Sequence, residues 1–169
     1  MKRNFLWFLS FALLSTALTL TSCDDDPCKD VTCGDHSACF EGDCICDVGY
    51  EKDAAGNCVS ERVKFLGTWS ASDNCSSSGT ATYITVTSTG TSEGQVSIAN
   101  FWGLFTNAVS ATISGDTITI ARQEPDGDGY FVEGTGTFSN GQINWTFKVT
   151  EEAGGVVITT DNCTSVWSK

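Results

Sequence analysis

The sequence predicts a mainly β protein: an antiparallel up-and-down β-barrel of about eight strands, preceded by a small disulfide-rich module. Three observations carry this. Across residues 61–169, apolar residues alternate with polar ones and do not recur at helical spacing. Turn-forming residues separate the alternating runs at short intervals. Upstream, six of the nine cysteines fall between Cys28 and Cys58, in a segment too short to bury a core and therefore in need of covalent staples.

The alternation is clearest at Ile143, Trp145, Phe147 and Val149. It recurs at Val96 and Ile98, at Val109, Ala111 and Ile113, and at Ile118 and Ile120. Ile84 and Val86 share a face with Thr85 and Thr87 opposite, and Val156 and Ile158 begin the last run. Asn140-Gly141 is a two-residue hairpin signal, and Gly115-Asp116 is a second. Glu124 to Gly129 forms a longer acidic hairpin loop, and Gly154-Gly155 turns the chain into the last strand. The expected strands are 65–72, 80–88, 94–100, 108–114, 116–122, 130–139, 141–150 and 156–168. A string of neighbouring hairpins closes most simply as a barrel, which removes exposed edges; a sandwich is the alternative.

The opening of this region, Phe65-Leu66-Gly67-Thr68-Trp69, resembles the Gly-x-Trp first strand of lipocalin-like (calycin-type) and avidin-like barrels. The resemblance implies that Trp69 packs across one end of the barrel and that Gly67 lets strands approach closely. Cys75 lies just after the expected first strand and Cys163 lies on the last. Those strands are neighbours in a closed meander, so a Cys75–Cys163 bridge is geometrically sensible. Closing so long a loop is worth about 4 kcal/mol in the chain-entropy model.

The six upstream cysteines follow the spacing Cys28-x4-Cys33-x5-Cys39-x4-Cys44-x-Cys46-x11-Cys58. Spacing alone leaves every pairing open. Cys44-Ile45-Cys46-Asp47-Val48-Gly49-Tyr50, followed by Gly56 and Cys58, resembles the C-terminal half of an EGF-like module. That resemblance covers residues 28–60 and implies the pairs Cys28–Cys39, Cys33–Cys44 and Cys46–Cys58, with Gly49 in a turn and Tyr50 as the main apolar contact. Zinc is disfavoured, because His36 is the one histidine in the chain and an exported protein favours disulfides. Calcium is disfavoured as well. Asp24 to Asp26 fit the acidic stretch of calcium-binding EGF modules loosely, but Pro27 stands where an acidic or amide residue belongs, and Phe40 to Asp43 is too short a connection.

Residues 1–22 read as a secretory signal, with Lys2 and Arg3 ahead of an apolar run from Phe5 to Leu20. The signal ends in Leu20-Thr21-Ser22-Cys23, which resembles a bacterial lipobox. The resemblance implies a lipoprotein with acyl chains such as palmitate on Cys23. Such chains hold a soluble domain to a membrane without a spanning helix. Residues 23–27 form an acidic linker. Its Asp24-Asp25-Asp26 resembles the surface-export signal of some Gram-negative lipoproteins, which places the protein on the outer membrane facing outward. An aspartate directly after the lipidated cysteine is an inner-membrane retention signal in other bacteria. The formal charge is −12 for the whole chain and −14 once residues 1–22 are removed. That charge argues against nucleic acid as a partner.

No base–nucleophile pair, phosphate loop or cofactor motif is present, and the expectation is no enzyme, no metal and no cofactor. Asp126-Gly127-Asp128-Gly129 resembles half of a calcium loop, but no closing glutamate follows, and a plain turn is favoured. Asp116-Thr117-Ile118 resembles the short acceptor of bacterial surface O-glycosylation, which would place a glycan on Thr117. Trp69, Phe101, Trp102, Phe105, Tyr130 and Trp145 are the candidate ligand or interaction residues, and the apolar segment Asn100 to Phe105 is a candidate lid or patch at a barrel mouth. The expected function is a non-catalytic, membrane-anchored binding module whose partner is a protein, a glycan or a small apolar molecule. The alternative is a lipocalin-like carrier of a small apolar ligand.

Overall fold

The computed structural model describes residues 26–169. The expected signal segment, residues 1–22, and Cys23, Asp24 and Asp25 lie outside the described residues.

The N-terminal region is held by disulfides more than by packing. Strands β1 (Ser37–Phe40) and β2 (Asp43–Cys46) form one hairpin, and β3 (Tyr50–Lys52) pairs with β4 (Cys58–Ser60). Bridges link Cys28 to Cys39, Cys33 to Cys44 and Cys46 to Cys58, the same pairs that the resemblance implies. All six sulfurs are therefore bonded to one another, and none is a thiolate for zinc. The exposed His36 ring stacks on Tyr50 at 4.0 Å.

A 3₁₀ turn, Glu61–Phe65, leads into the barrel and ties the two parts together. Lys64 Nζ donates to Glu51 in the small region (2.9 Å) and to Asp116 on the barrel (2.7 Å). Burial works against the Lys64 charge, yet these two carboxylates raise its pKa above the ordinary lysine value. Glu61 Oε2 accepts from the Gly115 amide at 2.7 Å, and Arg62 reaches the Ser92 carbonyl and Glu93.

The barrel strands are β5 (Gly67–Cys75), β6 (Gly79–Thr89), β7 (Gln95–Ala99), β8 (Val109–Ser114), β9 (Thr117–Gln123), β10 (Tyr130–Ser139), β11 (Gln142–Ala153) and β12 (Val156–Ser168). Each pairs antiparallel with its neighbour in sequence, and β12 pairs with β5 to close the ring. Closure leaves no sheet edge along the paired lengths. Asn140 and Gly141 both have positive φ, 52° and 76°, as a hairpin turn matched to strand twist requires.

The interior is solid. Trp69, Trp145, Trp167, Phe65 and Phe101 are all within 2% of full burial. Phe101 enters from the loop after β7 and packs on Trp145, Phe147 and Trp167 with ring centroids 5.4, 4.9 and 5.6 Å apart. Trp69 closes the opposite end: its indole donates to the Phe65 carbonyl at 2.9 Å, and Lys169 Nζ sits 4.3 Å from its ring.

Several expectations need correction. The first barrel strand runs on to Cys75, which is its last residue and stands opposite Cys163 in register, with the two bridged. In β6 the inward face belongs to Thr85 and Thr87, both buried, while Ile84 and Val86 are exposed. In β12 the inward residues are Asp161, Cys163, Ser165 and Trp167, and Val156 and Ile158 are exposed. Closure sets which face turns inward, and Trp69 and Trp167 cost more to expose than a pair of aliphatic residues. At Gly67 the requirement is a φ of +119°; a Cβ there would meet only the end of the Lys169 side chain, at 3.5 Å, and no strand.

Gly134 and Gly136 make the interior possible. Both point inward from β10, opposite Phe147 and Trp145 on β11 and opposite Ile120 and Ile118 on β9. A Cβ on Gly136 would lie 2.8 Å from Ile118 Cγ2 and from the Trp145 ring, and one on Gly134 would overlap Phe147. Large rings thus cover glycine gaps across the strand pair. Gly134→Ala and Gly136→Ala are each expected to lower the unfolding free energy by about 1–3 kcal/mol. Thr135→Val, at the outward position between them, is expected to change it by less than about 0.5 kcal/mol. Urea titration of the three variants measures the contrast.

Candidate functional site

The up-and-down topology gathers four connections at one end of the barrel: residues 76–78, 100–108, 124–129 and 154–155. This end holds the aromatic segment that the sequence singles out.

The loop from Asn100 to Leu104 is tightly constrained. Asn100, Trp102 and Gly103 all have left-handed backbone, with φ of 56°, 61° and 69°. A tryptophan in that region carries strain of about 1–3 kcal/mol, tolerated only where the surroundings hold it. Phe101 is the anchor, buried in the core. Gly103 fits because Tyr83 lies against it; a Cβ would be 3.0 Å from the tyrosine ring. Asn100 Nδ2 donates to the Ile84 carbonyl at 2.8 Å. On the far side, Asp126 accepts the Thr106 and Asn107 amides at 2.8 and 2.7 Å. These two bonds lower the Asp126 pKa. Asp128 and Glu124 likewise accept backbone amides, from Tyr130 and Gly129. The acidic loop is therefore a clamp on its own backbone and on the plug.

The aromatic candidates divide into two groups. Trp69, Phe101, Phe105 and Trp145 are buried in the core, so they act on a partner only through the fold. Trp102 and Tyr130 are half-buried at the barrel mouth, with ring centroids 6.4 Å apart. They line a concavity of about 270 Å³ together with Ser78, Val149, Glu151 and Asp161. Leu104 stands beside them, 68% exposed. The tip of the β11–β12 hairpin adds exposed Val156, Val157 and Ile158 at the same end. Leu104 belongs to the apolar segment that the sequence singles out, but the hairpin tip does not stand out, because Val156 and Ile158 sit in an alternating run and read as core.

Beneath the mouth lies a polar cluster that alternation does not reveal. Asp73 on β5 points into the barrel and is 2% exposed. Its Oδ2 accepts from the Tyr83 hydroxyl at 3.0 Å, and Ser165 stands opposite it across the β12–β5 pair. Burial pushes the Asp73 carboxyl above its ordinary value, and the Ser165 and Tyr83 hydroxyls offset only part of that rise. Burial and the facing Asp73 charge drive the Tyr83 hydroxyl far upward. Asp161, also inward, holds the β5–β6 turn: Oδ1 accepts from Ser77 N at 2.7 Å and Oδ2 from Ser78 N at 3.0 Å. Burial tends to raise its pKa, but the bonds from Ser78, Ser77 and Ser76 outweigh that and lower it.

Asp161 also lies near Cys75 and Cys163, with ligand atoms within 4.8 Å of one another. The two sulfurs are bonded to each other, so the trio supplies no thiolate pair for a metal. Aromatic walls with loop-holding carboxylates suit binding. Comparison with known protein families, curated proteins and solved structures finds no match.

The buried acid yields a pH prediction with a definite sign. The Asp73 pKa is raised in the folded state, so the native protein binds the extra proton between the unfolded value near 3.8 and the folded one. Stability contributed by that proton is present at low pH and lost as pH rises through the folded value. Asp73→Asn keeps an acceptor for Tyr83 and removes the charge. It is expected to be more stable than wild type at pH 7, with the difference vanishing below about pH 4. Urea denaturation at the two pH values checks this; an Asn variant weaker at pH 7 contradicts it.

Proposed function

We propose that this chain is a membrane-anchored, non-catalytic binding module. In this reading residues 1–22 direct export and Cys23 carries the lipid. The disulfide-rich segment is an EGF-like stalk, residues 28–60, and residues 61–169 are a lipocalin-like barrel that offers its open end to a partner, facing outward from the outer membrane. The observation that carries it is the contrast at that end. The barrel axis is filled by Phe101 and three tryptophans, while Trp102, Leu104 and the Val156–Ile158 tip leave apolar surface beside the plug. Apolar surface left exposed beside a packed core marks an interaction patch.

A lipocalin-like carrier is the weaker reading, because a guest needs internal volume and the aromatic side chains occupy it. A strained loop held by Asp126 and Tyr83 supports a rigid contact surface, since preorganisation lowers the cost of binding. The partner in this reading is a protein, because the patch combines aliphatic and aromatic side chains without a deep pocket.

Anchoring is the part most readily tested. Cys23→Ala is expected to move the protein from the membrane to the soluble fraction, and external protease is expected to digest the wild type on intact cells. Membrane retention of Cys23→Ala contradicts the anchor, and full protection from protease contradicts the outward orientation.

A further inference from the structure

We propose that the outer wall of the barrel carries a second binding face, for a neutral polyhydroxylated chain such as an oligosaccharide. It lies on the outer wall of β9, β10, β11, β12 and β5, reaches the rim of the open end only at Ser76, and does not rest on the reading given above.

The face is built by register. Thr119 pairs with Thr135, Thr135 with Thr146, Thr146 with Thr164, and Thr164 with Asn74. Five consecutive strands thus place four threonines and an asparagine side by side in one lateral row. At the usual spacing between strands the row is about 19 Å long. All five side chains are exposed, so their hydroxyl and amide groups are open to solvent. A second row runs parallel to it, two residues along each strand: Thr117, Thr137, Asn144, Val166 and Ser72.

The first row lines a shallow, open trough of about 810 Å³ in the outer wall. Gly134 lies in this trough, where β10 carries no inward side chain and packs close to Phe147 and Ile120. The same glycine that lets the core fill thus sits in the outer concavity.

The chemistry selects the ligand. Hydroxyls and amides both donate and accept, and so do the hydroxyls of a sugar. The row itself has no charge. On the rim Lys148 pairs with Glu133 at 3.1 Å and Arg122 with Glu152, so the cations are neutralised, and the chain's overall negative charge repels polyanions. Phe147 lines the trough but its ring is buried in the core, and the Phe131 ring is covered by the Arg122 guanidinium at 3.9 Å, which leaves no platform for a flat aromatic ligand. An extended, uncharged chain bearing many hydroxyls fits a long hydroxyl row. A peptide, whose backbone seeks an unpaired strand edge, does not.

The test is native affinity electrophoresis of the full chain in gels containing mannan, dextran, laminarin, xyloglucan or polygalacturonate. At least one neutral polysaccharide is expected to retard the wild type more strongly than polygalacturonate does. The pair Thr135→Val with Thr146→Val keeps strand propensity and shape, and is expected to weaken that retardation at least tenfold at unchanged melting temperature. Should the pair unfold, Thr146→Lys, which places a charge in the row, serves as the second variant with the same expected loss. Trp102→Ala, at the open end, is expected to leave retardation unchanged. Absence of retardation by every neutral polymer, a preference for polygalacturonate, or undiminished retardation in the row variants overturns the proposal.

Discussion

The structure depends on one steric exchange inside the barrel. Phe101, Trp145, Phe147 and Trp167 form a cluster with centroid separations near 5 Å, and β10 admits it by presenting only hydrogen at positions 134 and 136. Close packing of this kind makes a core intolerant of even one added methyl. The exchange also explains the plug. With aromatic rings converging on the axis from β11 and β12, the gap at the open end takes one more ring, and the loop after β7 supplies Phe101. Trp102 accepts a strained backbone as a consequence, and its side chain is delivered to the mouth.

Polar groups set the details of that end. Asp126 clamps the plug loop from outside, while Asp73 with Tyr83 supports it from within. The interior is not free of cost. The indole N–H groups of Trp145 and Trp167 and the hydroxyl of Thr87 have no hydrogen-bond partner among the described residues. Each unsatisfied buried group costs about 1–3 kcal/mol. The aromatic burial around them and the Cys75–Cys163 bridge offset this. The barrel is therefore stabilised by shape and covalent closure, with polar residues positioned to hold loops.

Much of the architecture was legible because antiparallel hairpins obey local rules. Asn140-Gly141 and Gly154-Gly155 mark real turns, and the run Ile143 to Val149 faces inward as its alternation implies. Legibility ended where both faces of a strand carry residues able to lie inside. In β6 and β12 the choice between Thr85 and Ile84, or between Trp167 and Val166, is made by neighbouring strands, and no local pattern encodes it. The same limit applies at the mouth. The segment Asn100 to Phe105 stands out as apolar, but only the fold separates Phe101 and Phe105 as core from Trp102 and Leu104 as surface. Asp73 lies just past the expected first strand, 65–72, and only the longer β5 and its closure against β12 turn it inward.

The central claim is that the barrel is filled, with Phe101 as the last piece, so that binding belongs to its surfaces. Thermal and urea unfolding of wild type and Phe101→Ala, with and without benzene, tests it most directly. Removing the ring is expected to cost about 3–5 kcal/mol. It leaves a cavity walled by Trp145, Phe147 and Trp167, of the dry apolar kind that takes up benzene. Benzene should therefore restore part of the variant's stability and leave the wild type unchanged. A wild type already stabilised by benzene, or a variant that loses less than about 1 kcal/mol, would contradict the account.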